Sequence, residues 1–450
     1  MSRMPNFVST TNACKLCTPM GACLAIRGIE GAVPFLHGSQ GCATYMRRYI
    51  ISHFNEPIDI ASSSLGEKHA VFGGGPNLKL GLKNVIEKYR PRLIGIATTC
   101  LTETIGDDVA MIVGEFLQET RATHMPAILH VSTPSYSGTH MDGFHAVVLE
   151  AVRQLTGPAG EKHGAINLLP GFVSPADLRH LKEIVGAYGL TAIILPDISE
   201  TLDGPALDTY PLIPAGGTPL ADIAVMSGSR ATIEFGWVHD DTAGQYLEKE
   251  HGVPLLRTGL PIGIRQTDRF LDHLATITGN AMPERLAAER GRLVDSLVDS
   301  HKYVSGKRAV VYGEEDLVVG LASFLAEIGV QPVLCASGAK SGRFADAVRE
   351  AVAEFVEEEP LVYDDSDFFD IATKAEELAP DLLIGHSKGY QLARKLDIPL
   401  IRVGFPIHDR MGGQRILHVG YRGAQQLFDT IVNAVIARKQ NKSPVGYSYM

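Results

Sequence analysis

The sequence predicts an α/β protein of three doubly wound domains with parallel sheets. Three observations lead there. Short apolar β runs alternate with amphipathic helical stretches along the chain, turn residues close most runs, and 450 residues exceed what one hydrophobic core usually serves. In the first third, VPFLHG (33–38) reads as a strand entering a Gly-Ser-Gln-Gly turn that carries Cys42. Arg92–Cys100 reads as a buried parallel strand ending at its carboxyl edge, and Glu103–Gln118 as the helix after it, with acidic residues in its first turn favouring the helix dipole. Ala127–Thr133 is the next strand, stopped by Pro134.

A second block opens with the strand Ala165–Gly171, a helix start at Ser174 and Pro175, and the strand Thr191–Asp197. The charge-mixed helical stretch Glu284–Tyr303 reads as the connector to a third block. That block holds the strand Lys307–Gly313, the helix DLVVGLASFLAEIG, the strand QPVLCAS, then Asp381–Ser387, the helix KGYQLARKL and the strand Pro399–Phe405. The expected domains are 1–160, carrying the cysteine-rich turns, 161–300, and 301–450 with a C-terminal helical segment. In open sheets of this kind, sites form beyond the carboxyl ends of strands. Cys100 occupies such a place.

The formal net charge of −10 argues against non-specific binding to nucleic acid and against anionic membranes. No run of about 18 apolar residues appears, and MSRMPNFVST lacks an apolar signal core, so a cytoplasmic chain is expected. Six cysteines are too few for a disulfide scaffold, and a reducing compartment keeps them as thiols. Four of the six fall within residues 14–42.

Most free cysteines are small buried hydrophobes. That reading suits Cys335, inside an apolar strand, and Cys23, on a helix face. Cys14 and Cys17 form a Cys-x-x-Cys pair, but no second pair completes a zinc site, and only 13 residues precede it, too few for the strand of a thioredoxin-type motif. Cys17, Cys42 and Cys100, each beside a turn, remain as candidate ligands of an iron–sulfur cluster. Three thiols on one chain leave such a cluster incomplete, which points to a partner. Elsewhere, GGGPN (73–77) reads as a tight turn and the GEED turn (313–316) as a helix cap. No HExxH, Gly-x-Ser-x-Gly or phosphate-binding GxxxxGK[ST] motif is present, so no ATP hydrolysis is expected of this chain.

The run from CTPMGACLAIRGIEGAVPFLHGSQGCATY to IDIASSSLGEKHAVFGG, followed by IATTCLTETIGDD, resembles the β-type subunit of nitrogenase component 1. The likeness continues through STPSYSGTHMDGF, GGTPLADI, GKRAVVYGEEDLVVGLASFL and PLIRVGFPIHDR. It implies three Rossmann-like domains and an α-type partner, two such pairs forming an α2β2 heterotetramer. It also implies an eight-iron P-type cluster (8Fe-7S) at the α/β interface. Cys17, Cys42 and Cys100 match the β-side ligands, and Ser135, in the TPS motif, matches a serine that can ligate the oxidised cluster. An ATP-dependent iron protein is implied to dock transiently and pass electrons through the cluster to the active-site cluster of the α-type chain. The active-site cluster itself is not expected here, because no cysteine lies between Cys100 and Cys335.

Within the family, the short approach to Cys17 and the C-terminal FPIHDRMGGQRILHVGYRG are similar to nitrogenase-like reductases and to NifN-type scaffold subunits, on which the iron–molybdenum cofactor is matured. Scaffold subunits often keep one cysteine and share a four-iron cluster (4Fe-4S). Retention of all three, with Ser135, favours an electron-relaying β-type subunit of a nitrogenase-like reductase, of which methylthio-alkane reductase is one kind. The scaffold is the alternative.

Overall fold

The computed structural model describes residues 13–120, 125–136, 138–158 and 160–445. The stretch MSRMPNFVST, residues 1–10, lies outside them. Among the described residues, thirteen strands form three sheets, and every pairing within them is parallel. The first contains β1 (Ala32–His37), β2 (Ala61–Ser62), β3 (Leu93–Thr98) and β4 (Ala127–Val131), in the order β2-β1-β3-β4. The second contains β5 (Ile166–Leu169), β6 (Ala192–Ile194), β7 (Thr232–Phe235) and β8 (Leu255–Thr258), in the order β6-β5-β7-β8. The third contains β9 (Arg308–Tyr312), β10 (Gln331–Ala336), β11 (Leu361–Tyr363), β12 (Leu382–Gly385) and β13 (Leu400–Arg402), in the order β11-β10-β9-β12-β13. Each sheet is thus a doubly wound, Rossmann-like unit. The direction of winding reverses between β1 and β3, between β5 and β7, and between β9 and β12, and at those reversals the crevices open that α/β proteins use for ligands.

Both central strands of the first sheet are buried along their whole length, as continuous apolar runs require when helices cover both faces. The expected Ser174/Pro175 start is present. Ser174 caps the helix Pro175–Ala187 and exchanges hydrogen bonds with Asp177 in a capping box. The connector is the helix Glu284–Val304, and the last helix, Gly420–Lys442, packs along it and along Gly263–Thr278. The chain's end therefore returns to the second sheet.

Two local expectations need correction. The single helix expected over Glu103–Gln118 is two helices, Cys100–Ile105 and Val109–Glu119. Gly106 ends the first at φ +78, and Asp108 starts the second by accepting a hydrogen bond from Met111 N–H. Asp107, between them, is drawn to His37 Nε2 at 3.0 Å. The GEED turn does place a helix start at Glu315, but the Glu314 side chain does not cap it. Its Oε1 lies 3.1 Å from His140 Nε2, in a buried pair joining the first and third units.

The helices Thr18–Arg27 and His140–Leu155 cross at unusually close range. A Cβ on Gly21 would stand 1.5 Å from His140 O, and one on Gly143 would stand 1.9 Å from Thr18 O. Neither obstacle is a side chain that can swing away. Gly143→Ala should therefore cost about 3 kcal/mol or more in a denaturant melt. A loss below about 1 kcal/mol would mean that the helices separate readily.

Candidate functional site

The crevice between β1 and β3 is built by polar ties from one strand end to the other. Thr99 and Thr102 form a reciprocal capping box at the start of Cys100–Ile105. Both hydroxyls also donate to His37 O at the end of β1, at 3.1 and 2.9 Å. Cys100 is the first residue of that helix, and it is exposed. The turn expected to carry Cys42 is shorter than the sequence suggests. It is only Gly38–Ser39, and Cys42 is the third residue of the helix Gln40–Phe54, with Ser39 Oγ 3.7 Å from its Sγ. Cys17 is the N-cap of the helix Thr18–Arg27.

All three thiols thus stand at helix N-termini, where the free N–H groups and the positive end of the dipole favour anionic sulfur. The loop after β4 lies between two of them. Ser135 N–H donates to Cys100 Sγ at 3.3 Å, while Ser135 Oγ accepts from Thr18 N–H at 3.2 Å. Thr18 Oγ1 adds a bond to Pro134 O at 3.3 Å. Glu103 Oε1 accepts from Ser132 Oγ at 2.6 Å and from Thr98, which fixes the root of this loop to the end of β3.

With no metal present, burial pushes the Cys17 thiol up to about 11, and the charges of Cys42 and Cys100 push the same way. Cys17 is therefore within electrostatic reach of both other sulfurs. The three do not crowd one point, however. Among the described residues, only His145, His239 and Asp316 bring ligand atoms within 4.8 Å of one another. Thiols spread over three helix starts, with backbone N–H groups aimed at sulfur, suit a cluster of several irons better than a single zinc ion. The donor set fits an iron–sulfur cluster.

The other cysteines face inward. Burial pushes Cys335 up to about 12 and raises Cys23 further still, as for inert core thiols. Cys14 belongs to the core of the third unit with Tyr312 and Phe368, and its Sγ is 3.8 Å from His386 Nε2. Cys17 packs against the main core instead. The Cys-x-x-Cys spacing thus serves two different units.

Around Cys100 the surface is apolar. Val71 and Phe72, 78% and 83% exposed, end the short helix His69–Phe72, which packs on Cys100–Ile105. Tyr136 next to Ser135 is 68% exposed. Sequence reasoning missed this patch and also the two threonines that lock the crevice. The Thr-x-x-Thr capping pattern at 99–102 was the signal available for the threonines.

A family model described as nitrogenase component 1 type oxidoreductase matches residues 17–436. The chain is 37% identical over 425 residues to the nitrogenase molybdenum-iron protein beta chain of Clostridium pasteurianum, covering 94% of this chain and 93% of that one. It is 38% identical over 429 residues to the corresponding chain of Methanothermobacter marburgensis, covering 93% of each. It is 37% identical over 438 residues to the vanadium-iron protein beta chain of Trichormus variabilis, covering 95% and 94%. The solved structure of nitrogenase Cp1 at pH 6.5 superposes with a TM-score of 0.96 at 35% identity, covering 100% of this chain and 98% of the other. Relatives of nearly equal length include molybdenum-iron chains, so the short approach to Cys17 does not separate members of the family.

Proposed function

The chain belongs to the nitrogenase component 1 family of oxidoreductases as a β-type chain, and on that premise we propose that it holds half of an electron-relaying P-type cluster. In this reading Cys17, Cys42 and Cys100 are its ligands to an (8Fe-7S) cluster completed by an α-type partner in an α2β2 heterotetramer. The observation that supports the reading is a thiol at each of three helix starts, with Ser135 bonded both to Cys100 Sγ and to the N–H of Thr18 beside Cys17. Such a cluster, when bound, supplies one-electron relay between a reductant and the partner's active site.

The chain's own residues supply the environment. Helix N-termini stabilise thiolate charge, and the Ser135 N–H bond withdraws charge from Cys100 Sγ, which raises the reduction potential. We assign Ser135 Oγ, presently accepting from Thr18 N–H, as the additional oxygen ligand of the oxidised state. The exposed Val71, Phe72 and Tyr136 supply apolar surface of the kind a transient protein partner covers, and we assign it to the ATP-dependent iron protein. The substrate is left to the partner chain.

Low-temperature EPR on the anoxically purified α/β complex tests the assignment. Reduced with dithionite, the P-type cluster should contribute no signal, and stepwise oxidation should bring its signals up. A spin-½ signal in the reduced state that vanishes on oxidation would indicate a four-iron cluster, and with it the cofactor-assembly scaffold.

A further inference from the structure

The crevice of the second sheet, between β5 and β7, contains chemistry that the relay reading does not use. We infer that His145, His239 and Asp316 form a binding site for a divalent transition-metal ion of the zinc type. Each comes from a different unit. His145 lies on the helix His140–Leu155, His239 follows β7, and Asp316 is in the first turn of the helix Glu315–Glu327. One ligand atom from each lies within 4.8 Å of the other two. Two imidazoles and a carboxylate are a common donor set for zinc and ferrous iron, and three protein ligands leave a position for water. All three residues line a cavity of about 240 Å³ beside Leu169 and Gly171 at the end of β5.

The two rings lie with centroids 4.0 Å apart, and among the described residues neither ring has a hydrogen-bond partner. Asp316 is aimed by its own scaffold, with Oδ1 accepting from Trp237 N–H at 2.7 Å and from Val238 N–H at 3.4 Å. That is the orienting role that outer hydrogen bonds play for metal-binding carboxylates. Its Oδ2 has no donor among the described residues. It fills the space where a Cβ on Gly236 would lie, 2.4 Å away, so a glycine at 236 leaves room for the carboxylate.

The charge balance agrees. The lining includes five carboxylates and one guanidinium, that of Arg257, whose Nε is 3.5 Å from Glu234 Oε2. A bound ion would join all three units at one point. This site and the cysteine crevice are separate, and neither inference depends on the other.

The test counts zinc. Cluster-loaded α/β complex is dialysed against a weak chelator and titrated anoxically with zinc sulfate. Bound zinc and iron are then measured in the same samples, so that thiols already carrying iron cannot account for zinc. Wild type should take up about one zinc per β-type chain more than His239→Ala or Asp316→Asn, whose affinity at this site should fall at least about 10-fold. Iron should be equal in all three. Zinc already present in undialysed wild type and missing from His239→Ala would count equally for the site. Equal zinc in wild type and both variants overturns it, as does no uptake by wild type at about 100 μM free zinc. If Asp316→Asn fails to assemble, as judged by its iron, His145→Ala paired with His239→Ala decides the matter by the same zinc count.

Discussion

Cys100→Ala should leave a folded chain that purifies without cluster iron. The substitution touches almost nothing else. Cys100 is exposed, and the helix it begins is capped by Thr99 and Thr102, which remain. Its structural cost should stay within about 0.5 kcal/mol, the usual range for surface changes. The chemical cost is a ligand, and with it the electron path through this chain. Cys42→Ala should behave alike. Cys23→Ala and Cys335→Ala supply the opposite pattern: iron retained, with stability lowered because each thiol is fully buried. Iron per chain and thermal melts on the four variants separate the two groups. Full iron in Cys100→Ala would remove it from the ligand set, whatever the fate of the others.

Asp177→Asn should destabilise the chain by about 3–5 kcal/mol, the effect of breaking a buried ion pair from one side. Asp177 is fully buried and accepts from four donors: Ser174 N–H at 3.1 Å, His418 N–H at 2.8 Å, Val419 N–H at 3.1 Å, and the His418 ring Nδ1 at 2.6 Å. It thereby fastens the helix Pro175–Ala187 to the segment that leads into the last helix. Asparagine keeps the size but loses the charge, leaving a buried imidazolium unpaired.

The pH dependence follows from both partners. Burial alone would raise Asp177, but His418's charge and hydrogen bonds outweigh it, and the carboxyl falls below 3.8. Its contribution is complete above 3.8 and fades as pH drops through the lowered value. His418 is pushed down by burial and up by Asp177, with a net rise above 6.5. Its contribution is complete below 6.5 and fades as pH climbs through the raised value. The gap between wild type and Asp177→Asn in urea midpoints should therefore be widest between pH 3.8 and 6.5. A gap that does not vary with pH would mean that the pair is not ionised.

Strand–helix alternation made the fold class legible because fully buried parallel strands are continuous apolar runs, as in β3 and β12. The place of Cys100 was legible for a related reason, since a strand's carboxyl end can be read from where the run stops. The break at Gly106 was readable in principle from Gly-Asp-Asp, a helix stop followed by an N-cap. It was lost because apolar periodicity continues across it. Cys42 shows the reverse error, in which glycine beside a cysteine suggested turn where the helix had begun. What local pattern could not carry was the meeting of units. Ser135 meets Thr18, beside Cys17, where two glycines let two helices touch, and His145, His239 and Asp316 gather only when three sheets close on one another.

Cys14 shows how the third unit reaches back to the first. Lys388 Nζ holds Ala13 O at 2.6 Å, Lys15 pairs with Asp365 at 2.9 Å, and Cys14 rests against His386. The anchors of residues 13–15, just before Cys17, thus come from the third unit. During synthesis, Leu16 and Thr18 can be held by His140 and Ser135 as soon as the first unit is complete, while Ala13, Cys14 and Lys15 gain these partners only when residues 365–388 have been added. The two flanks of Cys17 are thus fixed at different stages of chain growth, one by the first unit and one by the third.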